Sequence, residues 1–304
     1  MVNFDSSLED KLFKNLKVEK EPNTIFILSA PRTGGTFFYQ LIIKAFKLPY
    51  ISNITNDLYS SSPIIGFIIQ SKIKETILLN SKFGKTKGIF QPSEGSNVMI
   101  NWFGGGHPSQ IVSSKVVKVK ERHFKLTLSA CENLFNDMPL IIKNSWNCFR
   151  VSSIYKLLPK AKFIWLKRDI RESAASDLEA RYHTKGNARE WNSATPSNLD
   201  KLKLLTPAHQ VVENQFEFNT AIDLALKDIP HENWISIWYE DLLDNSNIQL
   251  EKISSFISRD NQNLINNFEN VRKKKNISIE EFNEINSYAN LNSDRFMPFF
   301  HLKD

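Results

Sequence analysis

Residues 24–36 read Thr24-Ile25-Phe26-Ile27-Leu28-Ser29-Ala30-Pro31-Arg32-Thr33-Gly34-Gly35-Thr36, and the fold class follows from this stretch. Thr24 to Ala30 is a continuous, β-rich apolar run, the pattern of a strand buried on both faces of a parallel sheet. The breakers Glu21-Pro22-Asn23 precede it, and Phe37, Phe38, Leu41, Ile42 and Ala45 follow at helical spacing. The unit is strand, glycine loop, helix. Backbone N–H groups of Thr33, Gly34, Gly35 and Thr36 in such a loop point at the occupant of the helix N-terminus, which is expected to be an anion. Gly34 and Gly35 permit close backbone approach, Thr36 adds a hydroxyl, and Arg32 supplies a permanent forked charge. A Walker A loop needs GxxxxGK[ST] with a lysine inside the loop, whereas here the cation precedes the glycines. A merely tight strand-to-helix turn is the plainer reading of the same residues.

Working outward, Leu140-Ile141-Ile142-Lys143, Lys162-Phe163-Ile164-Trp165-Leu166 and Trp234-Ile235-Ser236-Ile237-Trp238 read as further strands. Helices are expected at 64–80, 150–158, from near Arg171, over 208–228 and at 247–257. At the N-terminus, Ser6 and Glu9 have capping-box spacing ahead of Leu8, Leu12, Phe13 and Leu16. Ser278 to Glu281 repeats that spacing ahead of Phe282, Ile285 and Tyr288. Strands alternating with helices predict a parallel, doubly wound α/β sheet with ligands at the carboxyl ends of its strands.

A second anion motif sits at such an end. Arg168 closes the 162–166 strand, and Ser173 and Ser176 lie on one face of the helix that follows. The 304 residues carry 39 Lys plus Arg against 33 Asp plus Glu, a formal charge of +6 that favours anionic ligands. With 41% hydrophobic residues, 10 Gly and 12 Pro, collagen-like and disordered classes are excluded. Cys131 and Cys148 form no CxxC or Cys/His metal spacing, which fits a reducing compartment. The longest apolar stretch, Ile64 to Ile69, is too short to span a bilayer, and the charged first 20 residues lack a signal-peptide core. A cytoplasmic location is therefore expected.

The two anion motifs together resemble those of a known family. Ala30 to Thr36 looks like the 5′-phosphosulfate loop of sulfotransferases, and Arg168 with Ser176 resembles their 3′-phosphate motif. Lys143-Asn144-Ser145, Arg150 and Leu157-Leu158-Pro159 are similar to bacterial and carbohydrate-type members. Trp238-Tyr239-Glu240-Asp241-Leu242 resembles a signature near the family's C-terminal end. The resemblance covers roughly 24–258. It implies a P-loop-like parallel β-sheet flanked by helices, the sulfotransferase fold. One domain over 1–304 is expected, with 1–23 a peripheral N-terminal helix and 259–304 a C-terminal helical tail.

What the resemblance implies chemically is transfer of a sulfuryl group from 3′-phosphoadenosine 5′-phosphosulfate (PAPS) to a hydroxyl or amine, without a metal. Arg32 and the amides of Thr33, Gly34, Gly35 and Thr36 would hold the 5′-phosphosulfate, and Arg168 and Ser176 the 3′-phosphate. Phe37 stands where cytosolic relatives carry an adenine-stacking tryptophan, and also fits a core aromatic. Lys143 aligns with a lysine near the transferring group. Cytosolic members continue Lys-Thr-His with the histidine as base; Lys143-Asn144-Ser145 departs from this, so the base lies elsewhere. Gln91-Pro92-Ser93-Glu94-Gly95 resembles a bacterial Pro-Ser-Glu-Gly segment, making Glu94 the first candidate base and His107 the second. Either could instead be structural.

Trp102-Phe103-Gly104-Gly105-Gly106, His183 and Trp191-Asn192-Ser193 are candidate linings of an acceptor pocket, with core packing as the alternative. The acceptor could be a small molecule, a lipid or a saccharide. A metal-dependent nucleotide kinase and a catalytically inactive nucleotide-binding protein are the rival functions. Nucleic acid is not an expected partner, since basic and aromatic residues are not interleaved as in its common binding modules. A homodimer is compatible with the sequence.

Overall fold

The computed structural model describes residues 6–16, 21–73, 76–79, 86–104, 115–192, 194–261 and 277–302. Four strands, β1 (Ile25–Leu28), β2 (Ile141–Lys143), β3 (Lys162–Lys167) and β4 (Trp234–Trp238), form one sheet in the order β2-β1-β3-β4. Every pairing is parallel, with Ile25 opposite Ile141 and Lys162, and Phe163 opposite Trp234. A parallel sheet needs a crossover between consecutive strands, and each crossover here is helical.

The continuous apolar runs are explained by burial on both faces. Ile25 and Ile27 point to one side with Ile141, Ile164, Leu166 and Ile237. There they meet Phe38, Leu41, Ile42 and Ala45 of the Gly35–Phe46 helix, and Leu250 and Ile253 of the Ser246–Ile257 helix. Phe26 and Leu28 point to the other side with Ile142, Phe163 and Trp165. That core takes in Phe124, Ile154, Leu178, Val212 and Phe218 from four further helices. Each such aliphatic or aromatic side chain contributes roughly 1.5–3 kcal/mol when fully buried, so both faces stabilise the sheet.

The N-terminal helix is Ser6–Asn15, and its Phe13 packs against Ile64 and Ala130. Its Glu9 carboxylate binds His123 at 3.0 Å. The Trp102 indole N–H donates to His123 Nδ1 at 2.9 Å, so Nε2 carries the proton given to Glu9. At the other end, Ser278 and Glu281 do form a capping box at the start of the Ile279–Leu291 helix.

Two expectations fail here. The helix expected at 64–80 is Pro63–Ser71. Past it the chain is recruited elsewhere: the Gln91 side chain bonds the Thr76 carbonyl and the Leu78 N–H, and Ile77 joins the opposite core cluster from Ile64. Tertiary contacts override the local apolar pattern. Trp102 and Phe103, candidate pocket linings, are core residues packed edge-on against Phe124 at 4.9 and 6.0 Å. No helix among the described residues is long and apolar enough to cross a membrane.

Candidate active site at the carboxyl edge of the sheet

The loop after β1 turns sharply because two residues adopt left-handed backbone, Arg32 at φ 66° and Gly34 at φ 86°. For a residue with a Cβ this conformation costs about 1–2 kcal/mol, so something must hold Arg32 in it. Thr33 Oγ1 donates to the Ala30 carbonyl at 2.8 Å, tying the turn from one side. Arg168 Nη1, from the end of β3, donates to the Arg32 carbonyl at 3.0 Å and ties it from the other. The two motifs that stand 136 residues apart thus meet in one structure.

The helix that follows has Gly34 as its N-cap, with no side-chain cap bond, so its first amides face outward from the loop. The glycines serve the protein's own contacts as well as any ligand's. A Cβ on Gly34 would lie 2.3 Å from Tyr239 Cε2, and one on Gly35 would lie 2.4 Å from Ser29 Oγ and 3.0 Å from Lys143 Cε. Lys143 therefore runs along the loop. Its ammonium binds the Glu94 carboxylate and, at 3.3 Å, the Ser145 hydroxyl. Asn144 Nδ2 donates to the Glu94 carbonyl at 3.1 Å, fixing the backbone that presents this carboxylate.

Glu94, the first candidate base, is ion-paired with Lys143. The two residues singled out for separate roles form one unit. His107 lies outside the described residues. Phe37 is half-buried and packs on the core face that contains Leu41 and Ile42. Thr36 and Ser176 are half-buried. Ser173 is not available: it is buried, and its hydroxyl turns back onto the Asp169 and Ile170 carbonyls.

Arg32, Arg168 and Lys143 concentrate positive charge at the carboxyl edge. Burial pushes the Arg32 guanidinium below its ordinary pKa; the Asp177 carboxylate opposes this and the Arg168 charge adds to it. Arg168 also stacks over the Tyr239 ring at 5.0 Å. Glu240 accepts from the Asp169 N–H at 3.1 Å, and burial raises its pKa. Asp241 binds His301 Nε2 at 2.9 Å, and the His301 N–H donates to Asp169 at 3.1 Å. The Tyr239-Glu240-Asp241 stretch therefore acts as a bracket for the turn bearing Arg168. His301 gave no sequence signal, because its part in the bracket depends on the chain's end folding back over β3 and β4. A cavity of about 600 Å³ lined by Lys44, Lys47, Tyr50 and Ile77 sits at the far end of the Gly35–Phe46 helix, away from this loop.

Cys148 lies three residues past Ser145 and donates from Sγ to the Ser29 carbonyl at 3.4 Å. Burial is the main reason its thiol is pushed up to about 12 from an ordinary 9.0. The folded state then holds a proton that the unfolded state releases above pH 9, so this thiol's contribution makes stability fall as pH rises past 9. Native protein is expected to resist iodoacetamide at pH 8 and to react once unfolded in urea; rapid alkylation of Cys148 in native protein would contradict this burial.

Residues 22–262 match the model of a family described as the sulfotransferase family. No curated protein matches the sequence. Among solved structures, a sulfotransferase from Alicyclobacillus acidocaldarius aligns with a TM-score of 0.51 at 11% identity, covering 94% of this chain and 98% of that one. The sulfotransferase domain from the curacin biosynthetic pathway aligns at 0.46 and 17% identity, over 79% of this chain and 75% of the other. A mouse sulfotransferase complexed with PAP aligns at 0.36 and 14% identity, over 99% and 75%. At such identities the first likeness speaks for the fold alone.

Proposed function

Because the chain belongs to the sulfotransferase family, we propose that it transfers a sulfuryl group from PAPS to an acceptor hydroxyl or amine and releases adenosine 3′,5′-bisphosphate (PAP). The observation that carries this reading is the bond from Arg168 to the Arg32 carbonyl, which joins two anion motifs into one site. The residues present fit the donor. Uncapped amides at the Gly34 turn, Arg32 and Thr36 suit a phosphosulfate, while Arg168 and Ser176 suit a second phosphate.

PAPS, when bound, supplies an activated sulfuryl group attached to a phosphate leaving group. Arg32 and the loop amides oppose the charge that collects on that phosphate, the electrostatic preorganisation also used in phosphoryl transfer. Lys143 stands beside Gly35, close enough to the loop to add its charge there. Glu94, positioned by its contact with Lys143, takes the proton that the acceptor hydroxyl gives up. Residues 31–36 lack a lysine within the glycine loop, which weighs against a kinase.

Calorimetric titration of PAP, with Mg-ATP as control ligand, tests the reading. Tight PAP binding to wild type, lost in Arg168→Ala and kept in Glu94→Gln, is the expected result. Glu94→Gln is further expected to lower kcat about 10²- to 10⁴-fold, the usual contribution of a general base. A preference for Mg-ATP, or no PAP binding, would sink the proposal.

A further inference from the structure

The chain's last described residues, 297–302, return across the carboxyl ends of β3 and β4. Phe299 packs edge-on against Trp165 of β3 at 6.4 Å, and the His301 ring lies 5.1 Å from Trp238, which ends β4. Phe299 and Phe300 are buried. Their burial docks this strap, but hydrophobic contact has no direction.

The polar bonds of the strap do have direction, and they converge on the two residues that flank Arg168. Lys167 donates from Nζ to the Pro298 carbonyl at 3.2 Å and holds its ammonium over the Trp238 ring at 4.3 Å. Asp169 accepts from the His301 backbone N–H at 3.1 Å. The same carboxylate accepts from Arg171 Nε at 2.9 Å and Nη2 at 2.6 Å, and the Arg171 guanidinium lies 4.5 Å over the Phe300 ring. His301 Nε2 donates to Asp241 at 2.9 Å, next to the Glu240 that accepts from the Asp169 N–H. The backbone is thus pinned on both sides of Arg168.

A tail that only stabilises the fold needs to bury apolar surface; it has no need to hold the residues before and after one arginine. Groups that bind a ligand must sit within about 0.5 Å of the productive geometry, and the residues behind them keep them there. Arg168 depends on such support more than most, because its guanidinium also ties the Arg32 carbonyl. A shift of its backbone displaces both anion motifs.

Resting on the sulfotransferase reading, we propose that the strap at 297–302 positions Arg168 for the 3′-phosphate of the donor, with His301 as the positioning residue. His301 acts through Asp241 and Asp169 rather than on the donor. Linkage makes the support reciprocal: what the strap adds to donor affinity, the bound donor returns as closure of the strap.

The test compares wild type, His301→Ala and His301→Gln by calorimetry with PAP and with adenosine 5′-monophosphate, which lacks the 3′-phosphate. His301→Ala keeps the backbone N–H that binds Asp169 and loses the bond to Asp241, so PAP affinity is expected to fall about ten-fold, the size of one hydrogen bond to a charged group. Affinity for adenosine 5′-monophosphate should not change. His301→Gln, whose amide can still donate to Asp241, should recover most of the PAP affinity. In wild type, PAP should slow amide hydrogen exchange across 297–302, a readout that needs no variant to fold. Four outcomes overturn the assignment: PAP affinity that His301→Ala leaves unaltered, an equal loss for both nucleotides, a Tm that falls in His301→Ala with PAP affinity kept, or strap exchange that PAP does not slow. Failure of PAP binding in wild type would instead count against the sulfotransferase reading beneath it.

Discussion

Arg32→Ala is expected to lower the rate of sulfuryl transfer by about 10²- to 10³-fold, the typical loss when one preorganised donor to a developing charge is removed. The fold should survive. The Arg168 bond that holds the loop goes to the Arg32 backbone carbonyl, which alanine keeps. Removing the half-buried guanidinium relieves its desolvation and its repulsion with Arg168, against which stands the lost attraction of Asp177. Arg32→Gly separates backbone from side chain: the left-handed φ of 66° suits glycine, so its Tm should rise while its rate falls as far. Steady-state transfer rates with thermal melts of both variants check this. Retention of more than a tenth of the activity by Arg32→Ala would remove this residue from the mechanism.

Gly34→Ala is expected to be the most destabilising single change in the loop. Alanine must adopt a φ of 86°, and its Cβ would sit 2.3 and 2.7 Å from Tyr239 Cε2 and Cδ2. The ring cannot easily yield, since Tyr239 is buried in the core cluster and has Arg168 stacked on it. Backbone strain and overpacking together amount to about 3 kcal/mol or more. In a chain of this size that corresponds to a Tm lower by roughly 5–10 °C. PAP affinity should fall as well, because moving Tyr239 moves Arg168. The double variant Gly34→Ala/Tyr239→Ala should recover the steric part and leave the strain, so the two changes will not add. Additive effects in a double-mutant cycle of melts would show that the ring and the loop are not coupled.

Much of the site was legible because its signals are local. An apolar β run, two glycines and an arginine imply a strand, a left-handed turn and an anion at a helix N-terminus from backbone geometry alone. Arg168 at the end of another strand is legible for the same reason. The pairing of Glu94 with Lys143 was not, since nothing in two segments 49 residues apart says that their charges will meet. Nor was the exit of the chain from its helix at Ser71, which depends on the distant Gln91 amide. Trp102 and Phe103 misled because aromatic residues beside glycines suit a pocket and a core equally well. Asp177 and Arg181 stand within a buried helical stripe that includes Ile170, Ala174 and Leu178, a pattern that local reading can detect and tertiary structure alone can explain.

By itself, then, the sequence determined a parallel α/β sheet and two turns at its carboxyl edge, the ones proposed to bind anions, because hydrophobic period and turn chemistry act within a few residues. Only the tertiary structure decided that the turns form one site. Arg168 closes on the Arg32 carbonyl, Tyr239 fills the space a Cβ on Gly34 would take, and His301 returns to bind Asp169. Each of these contacts joins segments far apart in the chain, and such contacts are set by how whole elements pack on both faces of the sheet.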